Sequence, residues 1–119
     1  MASAIVGGLP SGQPAETVFW LYHGQRVIGF SRLRHGLDDF HQRIGGHIGF
    51  GIRRDCRRQG YGRALLGLTL AEARRVGLAT VLLTCTPGNL ASRRIIEIHG
   101  GQLETGNDSD RICRYRINQ

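Results

Sequence analysis

Lysine is absent: all 16 basic residues of this 119-residue chain are Arg. That excludes a Walker-type phosphate loop and a Schiff-base lysine, both of which need the ammonium group. Cysteine is scarce, with 3 residues at positions 56, 85 and 113. They form no C-x-x-C and no zinc-ligand spacing, so no metal is expected. An odd, widely separated set suits reduced thiols in a cytoplasmic protein. Aromatic residues make up 7%. No apolar run approaches the roughly 18 residues of a spanning helix, so no membrane role is expected. Residues Met1–Gly8 carry no basic n-region and no long apolar stretch, so no secretory signal is expected.

What is present is glycine and positive charge. There are 18 Gly, and 9 acidic residues leave a net charge of +7. Apolar residues at 40% suit one modest globular domain. A basic excess attracts polyanions: nucleic acid, a membrane surface or a multiply phosphorylated small molecule. Composition alone does not choose among them. No RNP-like, KH-like or helix-turn-helix signature appears, so nucleic acid is not favoured.

Residues 1–16 are small, polar and Gly/Pro-containing, which predicts a short flexible lead before a single domain over 17–119. Thr17–Tyr22 is β-branched and aromatic, a strand by propensity. His23-Gly24-Gln25 turns the chain into a second strand over Arg26–Arg34, giving an antiparallel hairpin. Strict alternation there puts Val27, Gly29, Ser31 and Leu33 on one face and Ile28, Phe30 and Arg32 on the other. A polar loop over His35–Gly46 leads to a third strand, His47–Arg53, in which Gly49 and Gly51 alternate with Ile48, Phe50 and Ile52. From Gly60 to about Val76 the apolar period becomes helical, with Leu66, Leu70 and Ala73 flanked by Leu65 and Leu68. Thr80–Cys85 reads as a strand buried on both faces. Asn89 can cap a helix to about His99, and Gly100-Gly101 closes it. A closing hairpin is expected from Gln102–Thr105 and Arg111–Ile117 around Gly106–Asp110. The order strand, loop, helix, strand over 47–85 predicts a parallel β-α-β unit in a mixed, mostly antiparallel sheet.

The informative segment is Arg57-Arg58-Gln59-Gly60-Tyr61-Gly62-Arg63-Ala64, at the junction of strand and helix. The first turn of a helix presents unpaired N–H groups with a partial positive charge behind them. Gly60 and Gly62 remove side chains at that point, and Arg57, Arg58 and Arg63 add charge. These features predict a diphosphate site. The dinucleotide fingerprint fails, because Leu65 stands where its third Gly belongs.

Arg57-x-x-Gly60-x-Gly62 resembles the R/Q-x-x-G-x-G/A signature of the GNAT family of N-acetyltransferases. Ile48-Gly49-Phe50-Gly51-Ile52 looks like that family's fourth strand, and Asn89-Leu90-Ala91-Ser92 like the segment after its fifth. The likeness covers roughly residues 17–117. It implies an α+β fold of the acyl-CoA N-acyltransferase type and acetyl-CoA as cosubstrate, bound where the fourth and fifth strands splay. Carried over by position, the resemblance gives Ile52 a backbone bond to the pantetheine arm. It gives the amides of Arg58, Gln59, Gly60, Tyr61, Gly62 and Arg63 the pyrophosphate, with Arg57 beside them, and it turns Asn89 and Ser92 toward the thioester side. A fourth-strand N–H would polarise the thioester carbonyl. The acetyl group would pass directly to a primary amine of a small molecule or peptide.

Two departures from the family pattern bear on mechanism. The family begins with a strand and two helices before the hairpin, and about 16 residues cannot hold all three. Thr17–Tyr22 would then be an exposed edge that invites a homodimer. The family's general acid, a Tyr seven residues after the Asn, is replaced by Ile96. Water, Cys85 or Tyr115 would have to stand in. The position of its general base is His47, whose imidazole can take an ammonium proton near neutral pH. A non-catalytic CoA- or acyl-CoA-binding module is the alternative.

Overall fold

The structure is a computed structural model that describes residues 2–9, 16–37, 45–104 and 112–119, the first of these segments as backbone only. The strands are β1 (Ala2–Leu9), β2 (Glu16–His23), β3 (Arg26–Arg34) and β4 (Ile48–Ile52). A 3-10 turn, Arg54–Cys56, leads to α1 (Tyr61–Arg75), β5 (Thr80–Cys85), α2 (Leu90–Ile98), β6 (Gln102–Leu103) and β7 (Cys113–Asn118). The turn at Gly106–Asp110, Thr105 and Arg111 lie outside the described residues, as do most of the loop before β4 and residues 10–15.

Two sheets form, not one. Their strand orders are β1-β2-β3-β4 and β5-β7-β6. β4 and β5 lie next to one another as the facing edge strands of the two sheets, as strands that splay apart do. Ala2–Leu9, expected as a loose lead, pairs with β2 over its whole length, Ala2 opposite His23 and Leu9 opposite Glu16. Ladder hydrogen bonds use the main chain, so a strand rich in glycine and small residues can still pair. β1 thus covers the edge at Thr17–Tyr22, and the argument for a homodimer through that edge falls.

Both helices lie on one face of the sheets. Leu65, Leu66, Thr69, Leu70 and Ala73 of α1 are buried, whereas Leu68, expected in the stripe, is 51% exposed. Thr69 is buried because its hydroxyl is satisfied: Oγ1 donates to the Leu65 carbonyl at 2.7 Å and accepts from Ser31 Oγ at 2.7 Å. This polar pair docks α1 onto β3. Around it, Phe19, Leu33, Ile48, Leu66, Val81, Leu83, Ile96 and Tyr115 form the main core. Each Leu or Ile buried this fully contributes roughly 1.5–3 kcal/mol. A second cluster joins Leu21, Ile28, Cys56 and Leu65 beneath the loop that leads into α1.

The β2–β3 register slips between Leu21 and Tyr22, which pair with Gly29 and Val27. Ile28 is the extra residue of this β-bulge and turns into the core at 2% exposure. Strict alternation predicts it on the other face; the bulge is the reason it is not there.

Candidate functional site

The seam between β4 and β5 is the centre of the site. Main-chain bonds run from Arg34 N–H to the His47 carbonyl and from Arg53 N–H to the Ile28 carbonyl. Gly51 and Gly49 fall between them, opposite Phe30 and Arg32. Main-chain groups alternate sides along a strand, so Ile48, Phe50 and Ile52 turn theirs away from β3, toward β5. On β5 the same parity turns Leu82 and Thr84 toward β4. Among the described residues, no backbone hydrogen bond joins Ile48–Ile52 to Thr80–Cys85. Two strand edges face one another with open donors and acceptors.

One staple closes the seam at its lower end. His47 N–H donates to the Leu82 carbonyl at 2.7 Å, and Leu82 N–H donates to His47 Nδ1 at 2.9 Å. Gly45 N–H adds a bond to Thr84 Oγ1 at 2.6 Å. The His47 lone pair on Nδ1 is thereby engaged, and the neutral ring carries its proton on Nε2. Burial holds its pKa below the usual histidine value. The ring keeps two sheets in register; the nitrogen that a general base would use is occupied by a main-chain donor.

At the other end of β4 the chain rises through the 3-10 turn into α1. Arg57 Nε donates to the Ile52 carbonyl at 3.0 Å, which ties the loop to the strand end and takes the Ile52 oxygen. Arg58 stands at φ 63 and Gly60 at φ 85, both left-handed. Gly60 is the N-cap of α1 and supplies no side-chain bond, and the first turn contains no acidic residue. The Gly60 carbonyl accepts from Ala64 N–H at 3.1 Å. Tyr61, Gly62 and Arg63 N–H precede that first helical bond and remain as outward donors. A Cβ at Gly60 would meet nothing within 4 Å. At Gly62 a Cβ would lie 2.8 Å from Ile95 Cδ1, which makes this glycine a close-approach residue between α1 and α2. Gln59 is exposed, as are Arg57, Arg58 and Arg63. Asp55 is occupied nearby by Arg26 and by Arg53, the latter at 3.3 Å. Desolvation pushes its carboxyl up, but both arginines and the Cys56 thiol outweigh this and hold it below the usual range.

Across the seam, α2 begins at Leu90 with Asn89 as its cap, and Asn89 Oδ1 accepts from Ser92 N–H at 3.2 Å. The helix-cap role is therefore occupied by oxygen, and the amide nitrogen stays available. Arg93 holds this junction in place, bonding the Pro87 carbonyl at 3.3 Å and the Tyr115 hydroxyl at 2.9 Å. Tyr115 in turn donates to Glu97 Oε2 at 3.0 Å. Burial pushes the Tyr115 phenol up, against the pull of Arg93. Its proton is committed to Glu97, which removes it from the candidate acids. Ile96 is 1% exposed and packs in the core.

Sequence reading misses the staple and the Arg93–Tyr115–Glu97 chain. Arg93 and Glu97 are four residues apart on one helix, a spacing that was visible; their common partner on β7 was not. On the far side of the seam lies an open groove of about 690 Å³ bordered by His47, Leu82, Glu104, Arg114 and Arg116. Among the described residues no cluster of three His, Cys, Asp or Glu side chains is placed to hold a metal. No helix among them is long and apolar enough to cross a membrane.

The Acetyltransferase (GNAT) family model matches residues 8–100. No curated relative matches by sequence. Among solved structures, YncA of Salmonella typhimurium, described as an acetyltransferase with its cofactor acetyl-CoA, superposes with a TM-score of 0.67 at 18% identity, over 87% of this chain and 64% of that one. The GNAT domain of the S. lividans protein PAT gives 0.70 at 18%, over 87% and 61%. The N-acetyltransferase PseH of Campylobacter jejuni, in complex with acetyl coenzyme A, gives 0.69 at 10%, over 87% and 68%. The chain spans 61–64% of the length of the first two structures. These likenesses establish the acyl-CoA N-acyltransferase-like fold, and the family match covers most of the sequence. The chain belongs to the GNAT acetyltransferase family.

Proposed function

We propose that this chain binds acetyl-CoA in the β4–β5 seam and transfers its acetyl group to a primary amine. The observation that carries the reading is the start of α1. There a left-handed Arg58 and Gly60 and an uncapped first turn present three free N–H donors, ringed by arginine, at the end of β4. That is an anion site by backbone geometry and by charge. A diphosphate is fitted by the empty space on the Cβ side of Gly60.

The amides of Arg58 to Arg63 hold the diphosphate, with Arg57 bracing the loop through its bond to Ile52. The open main-chain groups of Phe50 and the Ile52 N–H line up the pantetheine arm as an added strand would. The bound cosubstrate supplies an activated thioester. A β4 N–H donates to its carbonyl oxygen and draws negative charge there as the amine attacks. Asn89 contributes its free amide nitrogen, and Ser92 lies one turn behind it. His47 acts as a positioning residue, because Nδ1 is engaged by Leu82. The amine loses its proton to water in the groove beyond the seam. The Cys85 thiol, pushed up by burial and by neighbouring Cys113, is a protonated group at neutral pH near this end of β5. The three free thiols suit a reducing compartment such as the cytoplasm.

A second reading, a CoA-binding module without turnover, is favoured by Ile96 in place of the family's acid and by the engaged His47. Calorimetry with acetyl-CoA, followed by thiol release against a panel of amines, separates the two. Amine-dependent thiol release supports transfer. Binding without release for every amine supports the module. No binding overturns both.

A further inference from the structure

β5 and β7 bring two of the three cysteines together. Cys85 and Cys113 are direct partners in the antiparallel ladder, Cys85 the last residue of β5 and Cys113 the first of β7. The type of pair follows from the ladder's far end. Gln119 N–H donates to the Ala79 carbonyl, and hydrogen-bonded pairs recur every second residue. The hydrogen-bonded positions are therefore 81 with 117, 83 with 115, and 85 with 113. At such a pair the Cα atoms lie about 5.5 Å apart, within the range of about 4.4–6.8 Å that a disulfide spans. The two side chains share the face that carries Val81, Leu83, Tyr115 and Ile117, all buried, yet both cysteines are only half-buried. They sit at the rim of the core. Both lie at strand ends, where the approach of about 1 Å that the Cβ atoms need disturbs little of the ladder. Cys56 is buried in the other cluster, and its thiol faces Asp55.

We infer that Cys85 and Cys113 are a redox-active dithiol that closes to an intrachain disulfide by exchange with a small-molecule disulfide. This inference does not rest on the proposed transferase reaction. One cysteine, as its thiolate, displaces one thiolate from the small disulfide and forms a mixed disulfide. The second cysteine, as its thiolate, then attacks the first sulfur and expels the second small thiolate. Two protein thiols become one disulfide, the small disulfide is reduced to two thiols, and the protons pass to those thiols. The closed form ties the end of β5, just before the Pro87–Asn89 junction, to β7.

The test treats the folded full chain with glutathione disulfide, quenches with acid, and counts thiols after denaturation. The expected result is a fall from three free thiols to one, a mass lower by two hydrogen atoms, and a peptide map that links Cys85 to Cys113. Cys85→Ser is expected to stop at a stable glutathione adduct on Cys113. Three unreacted thiols in the wild type, a persistent glutathione adduct, or links between chains without the 85–113 link would overturn the inference.

Discussion

Gly60→Ala, set beside Gly77→Ala, separates the binding role of the α1 start from its backbone role. Both glycines are left-handed, at φ 85 and φ 93, and at both a Cβ would meet nothing within 4 Å. The folded-state cost is therefore the same conformational one, about 1–2 kcal/mol for an L-residue in that region. Each variant should melt about 4–8 °C below the wild type when no ligand is present. Their positions differ. Gly60 borders the N–H donors of Tyr61, Gly62 and Arg63, whereas Gly77 follows the other end of α1. A methyl at Gly60 displaces a phosphoryl group from one charge-assisted hydrogen bond, worth about 1.5–3 kcal/mol. The Kd for acetyl-CoA should rise about 10- to 100-fold in Gly60→Ala and stay within about twofold of wild type in Gly77→Ala. Calorimetry at a temperature where all three proteins are folded gives the comparison. Equal affinities in the two variants, whether both retained or both lost, would refute the reasoning.

Thr69→Val leaves Ser31 Oγ without its buried acceptor and should cost about 1–3 kcal/mol in urea unfolding; adding Ser31→Ala should recover part of that loss. Asn89→Ala removes the cap of α2 and should cost about 1 kcal/mol, while Asn89→Asp keeps the capping oxygen and should restore stability. If Asn89 also serves acetyl-CoA through its amide nitrogen, calorimetry will find both variants weakened, Asp included. The depressed folded-state pKa of His47 means that the unfolded chain binds its proton more readily. The stability contributed by neutral His47 is then complete above about pH 6.5 and is lost as pH falls through the folded value. Urea unfolding between pH 7.5 and 5.5 should give a steeper acid decline for the wild type than for His47→Gln; parallel curves would count against the staple.

The hairpin, α1, β5 and the capped α2 were legible because each is encoded locally, by alternation, by helical period, or by a cap three residues ahead of its partner. Thr80–Cys85 is a case in point: an apolar run of strand length between turns. The glycine- and arginine-rich turn into α1 was legible for the same reason, since Gly60 and the arginines are contiguous. Four features were not. β1 mixes Ile5, Val6 and Leu9 with glycine and small residues and shows no strict alternation, and its strand form is settled by main-chain pairing with β2. Ile28 obeys a bulge that no residue of β3 announces. His47 was read for its titration, and its engagement by Leu82, 35 residues away, depends on how the two sheets meet. Thr69 escaped a search for apolar periodicity because its burial rests on a hydroxyl partner 38 residues distant.

The central claim, that main-chain donors at the start of α1 clasp a diphosphate, is met most directly by following backbone amide resonances during titration with ADP and then with acetyl-CoA. The account predicts large shifts at Gly60, Tyr61, Gly62 and Arg63 with either compound, and added shifts at Phe50 and Ile52 only with acetyl-CoA. Saturable binding of acetyl-CoA that leaves the amides of residues 58–63 unmoved would contradict it.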